Sequence, residues 1–298
     1  MTAVSGTRAV ADKSSRRAGP RSRGNRDLPR RLQPLGALLL VAVVIGLPLW
    51  MVIATAAKTK GEALNPSFSA PTSWHLLANL RQAFTQGEVL RGLFGSILVV
   101  VPTVVAVLVL GAAASWVLAR RGGRATAVMY GFAISGILLP PAVITVVLLL
   151  RQLGIAGSPI GMVAVYTGMY LSTVIFFMVG FIRTLPLELE EAARVDGASP
   201  FTVFTRIILP LLRPVIATAT ILVCLYTWND VFYAFFVLGG SNTSTLPLNL
   251  FKVASSGIYL NNWNLIFAYV ILMTLPLLIV FILAQRRIIA GITSGAIK

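Results

Sequence analysis

Residues 93–118 read LFGSILVVVPTVVAVLVLGAAASWVL, a run of 26 positions without a single charge. About 20 apolar residues in a helix cross a ~30 Å hydrocarbon layer, so this stretch alone is long enough to span a bilayer. Outward from it, the charged residues leave further long gaps: Arg31 to Lys58, Arg91 to Arg120, Arg124 to Arg151, Arg151 to Arg183, Arg213 to Asp230, and Lys252 to Arg286. The gap that ends at Asp230 is the shortest, but apolar sequence continues beyond it to Leu238. The pattern predicts spans at 35–56, 93–118, 125–150, 160–182, 215–238 and 265–284. Each must be helical, because a backbone in lipid has to satisfy its own hydrogen bonds. The expected fold is therefore an all-α polytopic membrane protein with six transmembrane helices over 34–298, preceded by a basic tail, 1–33.

Composition points the same way. The 298 residues are 57% hydrophobic and only 11% charged, with mean hydropathy +0.85. A soluble chain of this size needs roughly a quarter of its residues charged to coat its surface. The net charge of +16 could point to nucleic acid, but its placement accounts for it better. The segments 1–33, 119–124, 183–213 and 285–298 hold 19 Lys and Arg, against 6 on the other side. The positive-inside rule then puts both termini in the cytoplasm and argues against a nucleic-acid partner. The single Cys224 and single His75 exclude an internal disulfide and make a metal centre or catalytic triad improbable.

The N-terminal tail is Arg-, Ser- and Gly-rich and reads as disordered, with attraction to anionic membrane lipid as its simplest role. Ala54-Thr55-Ala56 after an apolar run resembles a signal-peptide cleavage site. The run is 22 residues long, however, beyond the usual 7–15, and further spans follow, so a retained helix is expected. The segment 57–91 carries Pro66 and Pro71 and should be an external loop with one short interfacial helix near 76–84. Trp263 is placed to anchor the last span at the interface.

The one long internal loop, 183–214, reads RTLPLELEEAARVDGASPFTVFTRIILPLLRP. Pro186 can open a helix, Glu188, Glu190 and Glu191 favour its first turns, and Gly197 offers a left-handed stop. Ser199 as N-cap and Pro200 at the first position then start a second helix, with Phe201, Phe204, Ile207, Ile208 and Leu211 on one side. These features allow a docking knob for a soluble partner and equally a surface helix without one.

The motif Glu191-Ala192-Ala193, three residues, Gly197, nine residues, Ile207, one residue, Leu209-Pro210 resembles the EAA loop (186–214 here) of binding-protein-dependent ABC importer permeases. Asp196, Ala198 and Phe204 are similar to its carbohydrate-uptake branch, close to the smaller maltose-type permease. The resemblance runs over most of 35–298. It takes in Leu139-Pro140-Pro141, Trp228-Asn229-Asp230 and the ending Arg286-Arg287 to Lys298, and leaves out 1–33. It implies the type I ABC importer permease fold in a bacterial cell membrane, with the first loop helix as coupling helix. It further implies an ATP-binding-cassette ATPase dimer contacted through Glu191, Ala192, Ala193, Asp196 and Gly197. A second homologous permease and an extracytoplasmic solute-binding protein complete the assembly, and the cargo would be a sugar or related polar solute.

The chain carries no Gly-x-x-x-x-Gly-Lys-Ser/Thr loop to cradle phosphates, so it is expected not to be an enzyme and to need no cofactor of its own, ATP being bound by partner subunits. Asp230 is the only acid inside a span; ionised at depth it costs on the order of 3 kcal/mol and should face protein or water. It reads either as a packing group or, with Trp228, Asn229 and Tyr233, as part of the translocation pathway. Pro140 and Pro141 should kink the third span, as a static bend or a hinge. Gly92, Gly95, Gly111, Gly161 and Gly168 are expected to allow close helix packing. The alternatives to an importer subunit are an ion- or proton-coupled carrier gated by the loop, and a scaffold that recruits a partner without moving solute.

Overall fold

A computed structural model describes residues 32–139, 142–255 and 261–296, and within them the chain is almost entirely helical. The elements are α1 (Pro34–Ala57), α2 (Leu76–Gln86), α3 (Val89–Arg120), α4 (Arg124–Ser135), α5 (Val143–Gln152) and α6 (Pro159–Ile182), followed by α7 (Glu188–Val195), α8 (Pro200–Leu211), α9 (Arg213–Asn229), α10 (Phe232–Leu238), α11 (Leu246–Ser255) and α12 (Trp263–Ala296). Residues up to Leu47 form one unit and those from Pro48 onward another. The first unit is the beginning of α1, whose large apolar side chains, Leu38 to Val44 among them, are exposed. The basic tail expected over 1–33 lies outside the described residues, apart from its last two positions.

Among the described residues four helices are long and apolar enough to cross a membrane unbroken: α1, α3, α6 and the Trp263–Ile282 part of α12. The other two expected spans are each interrupted. Over 125–150 the chain forms α4, of 12 residues, and α5, of 10; the Pro140-Pro141 pair between them lies outside the described residues. Over 215–238 it forms α9, of 17 residues, and α10, of 7. Asp230 sits in the gap with extended backbone (φ −73°, ψ 128°). The expected interfacial helix is α2.

In the second unit α3 is the central member. At one end its Val89 and Val100 pack with Ala83 of α2, Leu246 and Val253 of α11, Leu265 and Tyr269 of α12 and Trp228 of α9. At the other end Val107 and Ala112 pack with Val174, Met178 and Ile182 of α6, Val203 and Ile208 of α8, and Ala219 and Val223 of α9. Small residues make the approaches possible. A Cβ on Gly95 would lie 2.2 Å from the carbonyl oxygen of Ser244, and one on Gly111 would lie 2.8 Å from Cγ1 of Val174. Beside Gly95, the Ser96 hydroxyl accepts the Leu246 amide at 2.8 Å. Gly168, expected to serve the same purpose, has nothing within 4 Å of a would-be Cβ.

The α2 end is tied together by polar groups that lipid would not tolerate unpaired. Buried Lys58 donates to the Ser67 carbonyl and to the hydroxyls of Ser67 and Ser69, at 2.9–3.2 Å. Asn79 on α2 donates to the carbonyls of Ala56 and Lys58, both at 2.8 Å, and accepts from Asn264 on α12 at 3.1 Å. Glu62 accepts the Thr72 hydroxyl and amide and the Thr59 amide and hydroxyl. The Thr72 hydroxyl and Thr59 amide hold its carboxyl down at about 2. A carboxyl lowered by folding stabilises the fold above its ordinary pKa, so this clasp contributes in full above about 4.5, and its contribution is lost progressively as pH falls from there through about 2.

The glycine contacts give a paired test. Gly95→Ala should force the 244–246 backbone away from α3, costing about 1–3 kcal/mol as overpacking does, whereas Gly168→Ala should be near neutral. Thermal unfolding in detergent should show Tm several degrees lower for the first and unchanged for the second.

Candidate functional site

The loop between α6 and α9 folds into two helices with defined ends. The Leu187 carbonyl accepts the amides of Glu190 at 2.9 Å and Glu191 at 3.1 Å, so α7 begins two residues after Pro186 rather than on it. At its far end Gly197 takes φ +81°. Its amide returns to Arg194 at 3.0 Å and the Ala198 amide to Ala193 at 2.9 Å, the paired closure that a left-handed glycine makes possible. Ser199 then caps α8 by accepting the Thr202 amide at 3.2 Å, with Pro200 next, as the sequence predicts.

One expected face shifts. Of the expected residues Ile208 is buried and Phe204 and Ile207 are half-buried, but Phe201 is 75% exposed and Leu211 is exposed, while Val203 and Leu212 are buried as well. A widened, π-type turn over Phe204–Ile208 advances the register, so the apolar stripe drawn for a regular helix matches the packed one only in part. Between α8 and α9 the chain turns by 72°, where Pro214 enters the first turn of α9.

Of the candidate coupling residues, Glu191, Ala192, Asp196 and Gly197 are exposed and Ala193 is half-buried. Glu190 is the exception on α7. It is 1% exposed, and its carboxylate accepts Nε of Arg120 at 2.6 Å and Nε1 of Trp116 at 3.0 Å, both from the end of α3. Sequence reasoning grouped Glu190 with its neighbours as complements to the helix dipole. The available signal was the four-residue spacing of Trp116 and Arg120, which puts two donors on one face of α3.

The second constellation surrounds the break at Asp230. One carboxylate oxygen accepts the Tyr166 hydroxyl from α6 at 2.7 Å and the Ala234 amide at 3.0 Å; the other accepts the Tyr233 amide at 3.4 Å. Asp230 thus caps α10 from its side chain, replacing the carbonyl partners that the interrupted helix lacks. Tyr170, one turn from Tyr166, has its ring centroid 6.0 Å from that ring and stacks on Tyr226 of α9 at 5.8 Å, 10° from parallel. Asn229 is exposed and bonds back to the Leu225 carbonyl at 2.8 Å. Tyr233 is half-buried beside Phe232.

Trp228 points elsewhere. It is buried, and its Nε1 donates to the Met273 carbonyl of α12 at 3.3 Å. The structure therefore brings Asp230, Tyr233 and the unforeseen Tyr166, Tyr170 and Tyr226 together, with Asn229 alongside and Trp228 in the core behind them. The spacing of Tyr166 and Tyr170 could have revealed the first pair; their meeting with Tyr226 could not be read from one helix. Among the described residues no group of three or more His, Cys, Asp or Glu is placed to hold a metal.

Gly197 offers a clean local test, since nothing crowds its would-be Cβ and only its backbone angle is at stake. An L-residue in that conformation costs about 1–2 kcal/mol. Gly197→Ala should lower Tm in detergent, and Gly197→Asn, which tolerates the left-handed region better, should recover part of the loss.

Residues 107–294 match the family described as the inner membrane component of binding-protein-dependent transport systems. The chain is similar to MelC of Bacillus subtilis (strain 168), a melibiose/raffinose/stachyose import permease protein, with 29% identity over 90% of this chain and 98% of that one. It is also similar to MsmG of Streptococcus mutans, a multiple sugar-binding transport system permease protein, with 31% identity over 88% of this chain and 95% of that one. In fold it resembles a bacterial ABC transporter involved in the import of the acidic polysaccharide alginate, with TM-score 0.72 and 20% identity over 86% of this chain and 96% of that one. With its apolar helices, capped α7 and matched motif over most of its length, the chain belongs to the binding-protein-dependent transport system inner membrane components, the permeases of ABC importers.

Proposed function

We propose that this permease, beside a second homologous permease, lines the translocation path for a sugar or related polar solute delivered by an extracytoplasmic binding protein. A separate ATP-binding-cassette dimer binds the ATP, docks on α7 and drives the cycle, so the chain itself needs no cofactor and catalyses no hydrolysis. In this reading the interrupted stretches α4–α5 and α9–α10 each count as one span. Six helices then cross a bacterial cell membrane with both termini cytoplasmic, and the basic tail meets anionic lipid.

The observation that carries the reading is the build of α7. It is closed at its C-terminal end by its own backbone and shows Glu191, Ala192, Asp196 and Gly197 outward, while Glu190 holds it to α3. Small side chains let another backbone come close, and the exposed acids and Arg194 give a soluble partner something polar to grip. The names of MelC and MsmG support the solute class.

At the other site, Asn229, Asp230, Tyr233 and the exposed Tyr226 are polar groups at span depth, where lipid contact is costly. They suit a wet path or a partner permease, and tyrosine faces and amides suit the C–H faces and hydroxyls of sugars. Trp228 supports this stretch from the α12 side, and Pro140 and Pro141 would give the third span, 125–150, its hinge.

The complex purified from membranes should contain the ATPases and hydrolyse ATP faster when the loaded binding protein is added. Glu191→Arg should cut solute uptake at least tenfold at unchanged permease abundance. Uptake at the wild-type level, or an assembled complex with residues 188–200 bare to solvent, would overturn the docking assignment.

A further inference from the structure

Glu190 and Lys58 are the charged side chains fully buried among the described residues. Lys58 closes a loop, as described above. Glu190 sits where the coupling element meets the bundle, and a buried carboxylate persists only when its charge and both oxygens are matched. Both are. Oε1 accepts Arg120 Nε at 2.6 Å and Oε2 accepts Trp116 Nε1 at 3.0 Å. Arg194, one turn along α7, lies 3.9 Å from Oε2 but is largely exposed.

Arg120 reaches a third element. Its Nη2 donates to the Leu185 carbonyl, just beyond the end of α6, at 3.1 Å. Trp116 adds a fourth by packing against Phe204 of α8, ring centroids 5.5 Å apart. One turn of α3 therefore binds the end of α6, the coupling helix and the start of α8. From that turn α3 continues as one helix of 32 residues, about 48 Å long at 1.5 Å per residue. Its far end grips the chain at 244–246 through Gly95 and Ser96.

Without this joint, α7 would be held by its covalent ends, by the half-buried Ala193 and by packing against the start of α8. With it, the helix cannot slide or roll against α3 without breaking charge-assisted hydrogen bonds, which are short and directional. We infer that Glu190, Arg120 and Trp116 form a transmission joint: they are positioning residues that convert displacement of α7 into displacement of α3, and hence of the far end of the bundle. This inference rests on the reading that an ATPase grips α7. It differs from that reading in assigning the inward face of α7 a task separate from the outward one.

The test uses the full complex in proteoliposomes, with solute uptake and ATP hydrolysis measured together. Glu190→Gln should leave the KM for solute unchanged and lower transport per ATP hydrolysed at least tenfold. Because Arg120→Met alone could strand a buried carboxylate and impair folding, the deciding variant is Glu190→Leu/Arg120→Met. Replacing a buried ion pair by apolar groups is often neutral or stabilising. This variant should therefore assemble and melt like the wild type, yet hydrolyse ATP without matching transport. Arg120→Lys, which keeps the charge but not the fork to Leu185, should fall between.

A cross-link from Val195→Cys, in a Cys224→Ala background, to the ATPase separates the two claims. If it forms and the double variant transports normally per ATP, the joint is wrong while docking stands. If it fails to form in the otherwise unaltered complex, the docking reading is wrong and the joint falls with it.

Discussion

A backbone with no water around it must find every hydrogen-bond partner within the protein, and this constraint shapes the break between α9 and α10. Along the unbroken helices the demand is met automatically. Two hydroxyls comply as well, Thr103 and Thr227 bonding the carbonyls one turn back at 2.8 and 2.7 Å. Where the helix stops, something must stand in. At Asp230 a carboxylate takes the amides of Tyr233 and Ala234 and is itself held by the Tyr166 hydroxyl. The acid that would be a liability in lipid is thus the group that permits a break between α9 and α10.

The same logic separates the two ends of the bundle. At the α2 end Asn79, Asn249 and Asn264, each 7% exposed or less, are joined to backbone or to one another, and the charged Lys58 and Glu62 bond neutral hydroxyl and backbone groups. At the α7 end the partners are charged, with Arg120 and Glu190 in close contact. Neutral amide networks fix position with little dependence on charge. A buried ion pair is costly to separate, which suits a junction that has to stay intact while the parts around it move. The α3 helix runs between these two kinds of anchor.

Polar groups also gather at the break between α9 and α10. At the break Asp230 bonds Tyr166 of α6, and one turn before it Tyr226 stacks on Tyr170 of the same helix. Trp228, one residue from Asn229, faces the opposite way into the core. A helix rotates about 100° per residue, enough to send adjacent side chains to different surroundings.

Much of this was legible in the sequence, for a common reason. The apolar stretches, the Gly197 stop, the Ser199-Pro200 start and the short helix at α2 depend on bonds spanning no more than a few residues, and local sequence contains both partners. The widened turn at Phe204–Ile208 was not legible, because packing against α3 and α6 selects it over the regular helix. Nor could one choose between Glu190 and Glu191 as the inward acid, since the deciding Arg120 lies 70 positions away. Tyr166 is likewise 64 positions from Asp230. Helix formation and most helix ends are written in the chain, because their hydrogen bonds are local. Which polar groups meet is settled by the packing, because it depends on which faces come together, and one apolar face carries little information about its partner.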